Sequence, residues 1–186
     1  MSAQLMPLKK IQLNQKIVIG NEDHLTMEEK MLRRVSIVLH VDKTKTLSVK
    51  QRKFIQSCIL KYKLPDCLRR ELWLRGSGAK TLMNDNPGYY ERLLKDVPHY
   101  PNPCFFQVEL DLLRTFSTKD AVYSRNIEEK MRRVLGAYIK RNPTVGYCQG
   151  LNFIVAILLN KLEEEETFWV FCQLIETMLP VDYYTC

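Results

Sequence analysis

The chain has 186 residues, of which 46% are hydrophobic and 26% are charged, and this ordinary globular composition excludes wholesale disorder. The formal net charge is +7, and the excess lies in residues 1–75, which hold 16 Lys/Arg against 7 Asp/Glu, whereas residues 76–186 hold 12 against 14. A basic segment of this kind is suited to an acidic partner protein, an anionic membrane surface or nucleic acid, and it is equally typical of a solvated tail.

None of the six cysteines forms a CxxC pair, which excludes a zinc knuckle and a thioredoxin motif. The N-terminus lacks the apolar region of a secretory signal, so we expect reduced thiols in a cytoplasmic protein. The longest apolar run, residues 151–159, is shorter than the ~20 residues that span a bilayer, and it carries Asn152. No transmembrane helix is therefore predicted.

Residues 1–46 are predicted to be a basic, partly irregular N-terminal arm, because they show no sustained hydrophobic periodicity. Within this arm the apolar run Val35–Val41 is compatible with a strand or with a docking segment, and the pattern does not separate the two. Residues 47–186 are predicted to form one helical domain.

The first helices of that domain are marked by their ends. Ser48 followed by Gln51 is a capping box, which predicts a helix over the following apolar positions. Pro65 begins the next helix, and Gly76 is expected to end it. Another short helix is predicted after Pro87-Gly88.

Four more helices complete the prediction. Phe105–Phe116 is short and helix-like, and the best amphipathic pattern runs from Ile127 to Ile139, before Asn142-Pro143. Residues 150–162 are apolar nearly all round, which predicts a helix buried in the middle of a bundle. Glu163–Glu166 begin the last helix, which Pro180 ends. With no convincing strand pattern, the predicted fold class is all-α.

Catalytic and metal sites of the chain's own are not apparent in the sequence. Cys148 lacks a nearby base, because the three histidines lie in the arm or in a proline-rich loop. The Gly76-Ser77-Gly78 stretch has neither the spacing nor the ending of a phosphate-binding loop. Glu163–Glu166 are consecutive and point around a helix, so they do not form a metal cluster. No aromatic–basic stripe or helix-turn-helix pattern indicates a nucleic-acid partner.

Val108, Asp111 and Arg114 are spaced i, i+3 and i+6, so they lie along one helical stripe. Asp111 is placed to hold the Arg114 guanidinium by charge-assisted hydrogen bonds. One interpretation is a surface ion pair that contributes about 0.3–0.5 kcal/mol. The other is a pre-oriented arginine that stabilises a phosphoryl-transfer transition state in a partner protein.

Gln149 lies in a turn predicted before the most apolar helix. Gly146 and Gly150 bracket residues 147–149 and permit a tight backbone turn there. An amide can orient an attacking water because it donates and accepts a hydrogen bond at once. A helix cap is the alternative role for this glutamine.

The segments around Arg114 and Gln149 resemble motifs of one family. Val108-x-x-Asp111-x-x-Arg114 resembles the IxxDxxR motif of the TBC-domain GTPase-activating proteins for Rab GTPases. Tyr147-Cys148-Gln149-Gly150 resembles their YxQ motif, and the family's usual Leu-Asn-Phe-Ile follows.

Two further blocks agree with the same family. Residues 64–69, which end in Arg69 and are followed by Trp73, resemble the opening of the domain. Residues 141–146 precede the YxQ motif as the family's pattern requires. Four ordered blocks between residue 64 and about residue 184 therefore carry the resemblance.

The resemblance implies an all-helical TBC-type domain that acts on a Rab GTPase in its GTP form and so regulates vesicle traffic. Arg114 would be an arginine finger, Gln149 a glutamine finger, Asp111 the group that orients Arg114, and Tyr147 the group that holds the loop. The chain would be a GTPase activator rather than an enzyme on its own substrate, and it would need no cofactor, because Mg²⁺ and GTP belong to the partner. Its expected location is the cytoplasm or the periphery of endomembranes, and the basic arm is available for a membrane or an acidic partner.

The sequence departs from the family pattern in three places. Val108 stands for the usual Ile, and Ser117 stands where the family often has Pro. The chain ends at Cys186, about where the family's second helical subdomain begins, so an incomplete domain with an exposed apolar patch is expected. A non-catalytic helical adaptor that binds a Rab or its regulators is the alternative function.

Overall fold

The computed structural model describes residues 26–40, 46–62, 64, 66–97, 101–115, 121–180 and 183–184. Across these ranges the regular structure is helical and no strand occurs, which confirms the predicted all-α class. The helices are α1 (Met27–His40), α2 (Val49–Lys61), α3 (Asp66–Ser77), α4 (Ala79–Asp85), α5 (Tyr89–Asp96), α6 (Cys104–Thr115), α7 (Ala121–Arg141), α8 (Leu151–Leu159) and α9 (Glu164–Gln173). A π-helical turn, Leu174–Met178, continues α9.

Residues 27–40 of the predicted arm form α1, whereas residues 1–25 and 41–45 lie outside the described residues. The segment from Val35 to His40 is therefore helical, and the strand alternative is wrong. Val35 and Leu39 are buried against α2 and α3. The buried guanidinium of Arg75 donates to the carbonyls of Val38 and Leu39, which are among the unpaired carbonyls at the end of α1. Met31, Val35, Val38 and Leu39 recur at helical spacing along α1, and the prediction of an irregular arm missed this pattern.

The capping box of α2 is confirmed. The backbone N–H of Ser48 donates to Gln51 Oε1 at 2.8 Å, and the N–H of Gln51 donates to Ser48 Oγ at 3.3 Å. Ile55 and Cys58 then face the small core that α2 shares with α1 and α3. Two local hydrogen bonds therefore define the start of this helix.

The predicted end of α3 is wrong. The helix continues through Gly76 to Ser77, whose hydroxyl donates to the Trp73 carbonyl at 2.7 Å and accepts from the N–H of Ala79 at 3.2 Å. The break comes at Gly78, which has a left-handed φ of 87° and precedes α4, a helix that the pattern did not indicate.

The main core is built around α7 and α9, onto which α4, α5 and α8 pack. Of the apolar positions predicted on α7, Ile127 is partly buried and the others are buried: Met131, Val134, Leu135, Tyr138 and Ile139. The helix ends at Arg141, directly before Asn142-Pro143 as predicted. Trp169 and Phe171 of α9 are also fully buried, and the centroids of the Phe171 and Tyr138 rings are 4.8 Å apart. This core supports α6 and α8, the two helices that flank the candidate site.

The prediction that α8 is buried on every side is wrong. The helix spans residues 151–159 rather than 150–162, and Phe153 and Ile157 are 53% and 61% exposed. Its other face, which includes Leu151 and Val155, packs against α7 and α9. Apolar composition alone did not show which face has a neighbour. In the part of the chain that the structure describes, no helix is long and apolar enough to cross a membrane.

Candidate functional site

Helix α6 carries the first half of the candidate site. Val108 and Leu112 are buried in the main core and fix the helix in place. One turn beyond Val108, Asp111 is 3% exposed, and three residues later the side chain of Arg114 is 61% exposed. Three residues are less than one full helical turn of 3.6 residues, so each step of this spacing changes the direction of the side chain. Val108 and Asp111 therefore face the core, whereas Arg114 faces the surface.

The buried carboxylate of Asp111 holds the exposed guanidinium of Arg114. Arg114 Nη2 lies 2.5 Å from Asp111 Oδ1, and Arg114 Nε donates to the Leu110 carbonyl at 3.2 Å. An ion pair between two solvated side chains would leave the arginine free to rotate. Here one partner is fixed in the interior, so the guanidinium is oriented at two points while its outer face stays open to solvent.

Tyr147 connects Asp111 to the second half of the site. Its hydroxyl donates to Asp111 Oδ2 at 2.8 Å within the protein interior. Burial, the hydrogen bond to Asp111 and the charge of that carboxylate raise the pKa of Tyr147 well above its usual value of 10.0. The hydroxyl is thus protonated at neutral pH and remains a donor. Since Tyr147 is 36 residues beyond Asp111, this bond joins distant parts of the chain.

The backbone around Tyr147 makes a turn that requires glycine at both ends. Gly146 has φ of +56°, and a Cβ there would lie 2.9 Å from Cys104 Sγ, which is closer than van der Waals contact allows. Gly150 has φ of +103° and open space around it. The N–H of Leu151 donates to the Cys148 carbonyl at 3.2 Å and closes the turn. This explains the spacing of the two glycines around the motif.

Gln149 lies at the exposed corner of this turn. Its side chain makes no hydrogen bond with the residues that the structure describes. The N-cap of α8 is Gly150, and no side chain makes a capping hydrogen bond there. Within the described residues, no contact therefore supports a helix cap as the role of Gln149. The amide is therefore presented outward, two residues beyond the Tyr147–Asp111 bond.

Arg69 and Trp73, the other motif residues, lie on α3. The Arg69 guanidinium is 5.9 Å from the centroid of the Trp73 ring, and Arg69 Nη2 approaches the Leu64 carbonyl at 3.5 Å. No hydrogen bond among the described residues connects this pair to Asp111 or Tyr147. Both of these contacts lie within residues 64–73, at the start of the matched domain.

Two residues of the site had no role in the sequence-based interpretation. Thr115 Oγ1 donates to the Asp111 carbonyl at 2.7 Å, and Asn152 Nδ2 donates to Thr115 Oγ1 at 2.7 Å. An asparagine inside an otherwise apolar run was the available signal, because a buried amide needs a partner. Its partner, however, was not readable from spacing.

The candidate site joins two segments of the chain at the protein surface. It presents one exposed cation and one exposed amide on segments joined by buried hydrogen bonds. Within the described residues, no group of histidine, cysteine, aspartate and glutamate side chains is suited to hold a metal ion. Two glutamates of the acidic run Glu163–Glu166 form ion pairs: Glu164 with Arg133 and Glu166 with Arg70.

The chain belongs to the Rab-GTPase-TBC domain family, whose model matches residues 66–186. Among curated relatives, it is 40% identical over 116 residues to TBC1 domain family member 2B of Xenopus tropicalis, which covers 61% of this chain and 12% of that protein. It is 43% identical over 104 residues to member 2B of Homo sapiens, covering 55% and 11%, and 46% identical over 101 residues to human member 2A, covering 53% and 11%.

A solved structure shows the same fold. The match to the crystal structure of the Chlamydomonas flagellar RabGAP TBC domain has a TM-score of 0.65 at 25% identity, and it covers 86% of this chain and 58% of that chain. The chain thus spans about one tenth of the length of the curated relatives named above. Family membership and the TBC fold are established by these matches, and they support Rab GTPase activation at the level of the family.

Proposed function

We propose that this chain is a GTPase-activating protein for a Rab-type small GTPase and that it supplies an arginine and a glutamine in trans. The observation that carries the proposal is the Asp111 carboxylate, which binds the exposed Arg114 with one oxygen and Tyr147 of the glutamine turn with the other. Family membership supports the same function.

Arg114 acts as the arginine finger. In phosphoryl transfer, negative charge develops on the oxygens around the transferring group, and a guanidinium placed there stabilises the transition state. An arginine finger is worth about 10³–10⁵ in rate. The contact with Asp111 reduces the entropy lost when the side chain is ordered against the nucleotide, because the guanidinium is already oriented.

Gln149 acts as the glutamine finger that positions the attacking water. Its side-chain carbonyl accepts a hydrogen bond from the water while its amide group donates to an oxygen of the phosphate or to the partner's backbone. The glycines at 146 and 150 permit the turn, and the hydrogen bond from the Leu151 N–H to the Cys148 carbonyl closes it, so the amide lies at a defined corner of the chain.

The chain needs no cofactor of its own in this proposal, since GTP and Mg²⁺ are bound by the partner. The Rab would be engaged in its GTP form, and the activity would regulate vesicle traffic from the cytoplasm or the surface of endomembranes. The basic N-terminal arm is available for a membrane surface or an acidic partner. Nucleic acid has no part in the proposal.

A non-catalytic Rab-binding adaptor is the second candidate. The observation that favours it is the exposed apolar surface beside the finger residues, with Phe106 and Leu113 on α6 at 71% and 75% exposure. Such side chains are typical of an interaction surface, whether or not catalysis follows binding. The two functions differ in their effect on the rate of GTP hydrolysis.

The test is single-turnover hydrolysis of GTP by a panel of purified Rab proteins, with and without the 186-residue chain. The activator function is supported if the parent chain accelerates GTP hydrolysis by at least one Rab and the Arg114→Ala variant does not. Binding of a GTP-loaded Rab with an unchanged hydrolysis rate supports the adaptor and contradicts the activator.

A further inference from the structure

Thr115 and Asn152 form a second connection between the two finger segments. Thr115 is the last residue of α6 and follows Arg114 directly, whereas Asn152 lies in the first turn of α8, three residues after Gln149. Asn152 Nδ2 donates to Thr115 Oγ1 at 2.7 Å, and the same hydroxyl donates to the Asp111 carbonyl at 2.7 Å. The pair therefore joins the end of the arginine helix to the start of the helix behind the glutamine turn.

Asn152 also lies beside the first connection. Its backbone N–H is close enough to the Tyr147 hydroxyl, which donates to Asp111, to oppose the rise in the pKa of Tyr147. One residue is therefore a neighbour of Tyr147 and binds Thr115 through its side chain. The distance from Arg114 to Gln149 is set by two parallel links rather than by one.

The burial of Asn152 indicates that this link has a role beyond stability. Asn152 is 2% exposed, and its Oδ1 has no hydrogen-bond partner among the described residues. A buried amide with one unsatisfied oxygen is less favourable than an apolar side chain of similar size, because its desolvation is only partly compensated. A leucine at this position of an otherwise apolar helix would avoid that cost.

We infer that Thr115 and Asn152 are positioning residues that fix the separation of the arginine and glutamine fingers. The inference rests on the proposed GTPase-activating function and adds two residues to it. Neither side chain touches the nucleotide in this account; both act through the segments that carry Arg114 and Gln149. A displacement of about 1 Å between reacting groups can lower a rate by about 100-fold, so the link is expected to affect catalysis more than binding.

The experiment uses the double variant Thr115→Val/Asn152→Leu in the 186-residue chain. Removing both partners together leaves no unpaired polar group between them, so folding is expected to survive better than in either single variant. Thr115→Ser retains the hydroxyl and serves as the conservative variant. Thr167→Val is the matched control, because Thr167 is a fully buried threonine on α9 whose Oγ1 has no partner in the described structure.

Single-turnover GTP hydrolysis by a responsive Rab is measured as a function of activator concentration, together with the thermal unfolding midpoint. We expect the maximal rate of the double variant to fall by about 10- to 100-fold while the half-saturating concentration changes by less than about two-fold. Thr115→Ser and Thr167→Val should keep the maximal rate of the parent. A folded double variant with the parent's maximal rate, or a loss confined to the half-saturating concentration, would overturn the inference.

A second readout separates this inference from the proposed function. The ¹⁵N order parameter of Arg114 Nε, measured by NMR in the isolated chain, reports the ordering of the guanidinium on the ps–ns timescale. It should fall in the double variant and stay unchanged in Thr167→Val. If the parent activates no Rab, the proposed function fails, but an order parameter that is equal in the parent and the double variant would still refute the positioning role.

Discussion

Replacing Tyr147 by Phe removes a single hydroxyl from the buried junction between α6 and the turn before α8. The ring, which is 7% exposed, keeps its packing. The hydroxyl donates to Asp111 Oδ2 at 2.8 Å. Asp111 is 3% exposed, so water does not readily replace the lost group. The substitution therefore leaves the buried Asp111 carboxylate without one of its partners.

The magnitude follows from that loss. A hydrogen bond to a charged group contributes about 1.5–3 kcal/mol, and leaving a buried group unpaired costs about 1–3 kcal/mol. Because local relaxation recovers part of this, we expect the free energy of unfolding to fall by about 2–4 kcal/mol. For a chain of this size, each kcal/mol lowers the unfolding midpoint by about 2–4 °C. The midpoint should thus fall by about 4–16 °C.

Thermal unfolding followed by circular dichroism is the assay, with Tyr183→Phe as the control because Tyr183 is 61% exposed. The control should unfold within about 2 °C of the parent, as surface substitutions usually do. A midpoint for Tyr147→Phe within that same range would show that the hydroxyl does not bridge the two segments. The proposed orientation of Arg114 through Asp111 and Tyr147 would then lose its structural basis.

Three further predictions concern the arginine, the turn and the partly exposed ion pair between Arg133 and Glu164. Arg114→Lys should lose nearly as much Rab activation as Arg114→Ala, about 10³–10⁵-fold in single-turnover rate, because an ammonium does not reproduce the planar guanidinium; full activity of the lysine variant would refute the finger role. Gly146→Ala should lower the unfolding midpoint, and adding Cys104→Ala should restore part of the loss, because the new Cβ would lie 2.9 Å from Cys104 Sγ; no rescue would refute the clash. Burial is the largest single influence on the pKa of Glu164 and raises it, but the hydrogen bonds from Arg133 and Tyr90 and the nearby positive charges together outweigh it, so the net pKa is lowered from 4.5. This carboxylate therefore stabilises the fold above about pH 4.5 and loses that contribution as the pH falls through the lowered pKa. Urea unfolding across this range should show a weaker acid dependence in Glu164→Gln, and an unchanged dependence would contradict the assignment.

The local parts of the site were readable from the sequence. The i, i+3 spacing of Asp111 and Arg114 predicted their contact, and the glycines that bracket Tyr147 predicted the turn, because both depend on backbone geometry over a few residues. The contact between Tyr147 and Asp111 was not readable from spacing, since it depends on how α6 packs against α8. The same packing determines the partner of Asn152.

The fold shows the same division between local and tertiary information. Capping predicted the start of α2 and the stop signal after Arg141 predicted the end of α7. In contrast, the exposed face of α8 depends on which neighbours are present, and the helical spacing along α1 was missed. The predicted domain boundary at residue 46 stays a prediction, although α1 contributes to the same small core as α2 and α3.

The central claim is that the chain supplies both the arginine and the water-positioning glutamine to the GTPase. The most direct measurement is single-turnover GTP hydrolysis by a responsive Rab and by the same Rab with its own catalytic glutamine replaced by alanine. We predict that the parent chain accelerates both forms and that Gln149→Ala loses activity on both, because Gln149 and not the Rab glutamine positions the water. Acceleration of the unmodified Rab with no effect on the substituted Rab would contradict the claim.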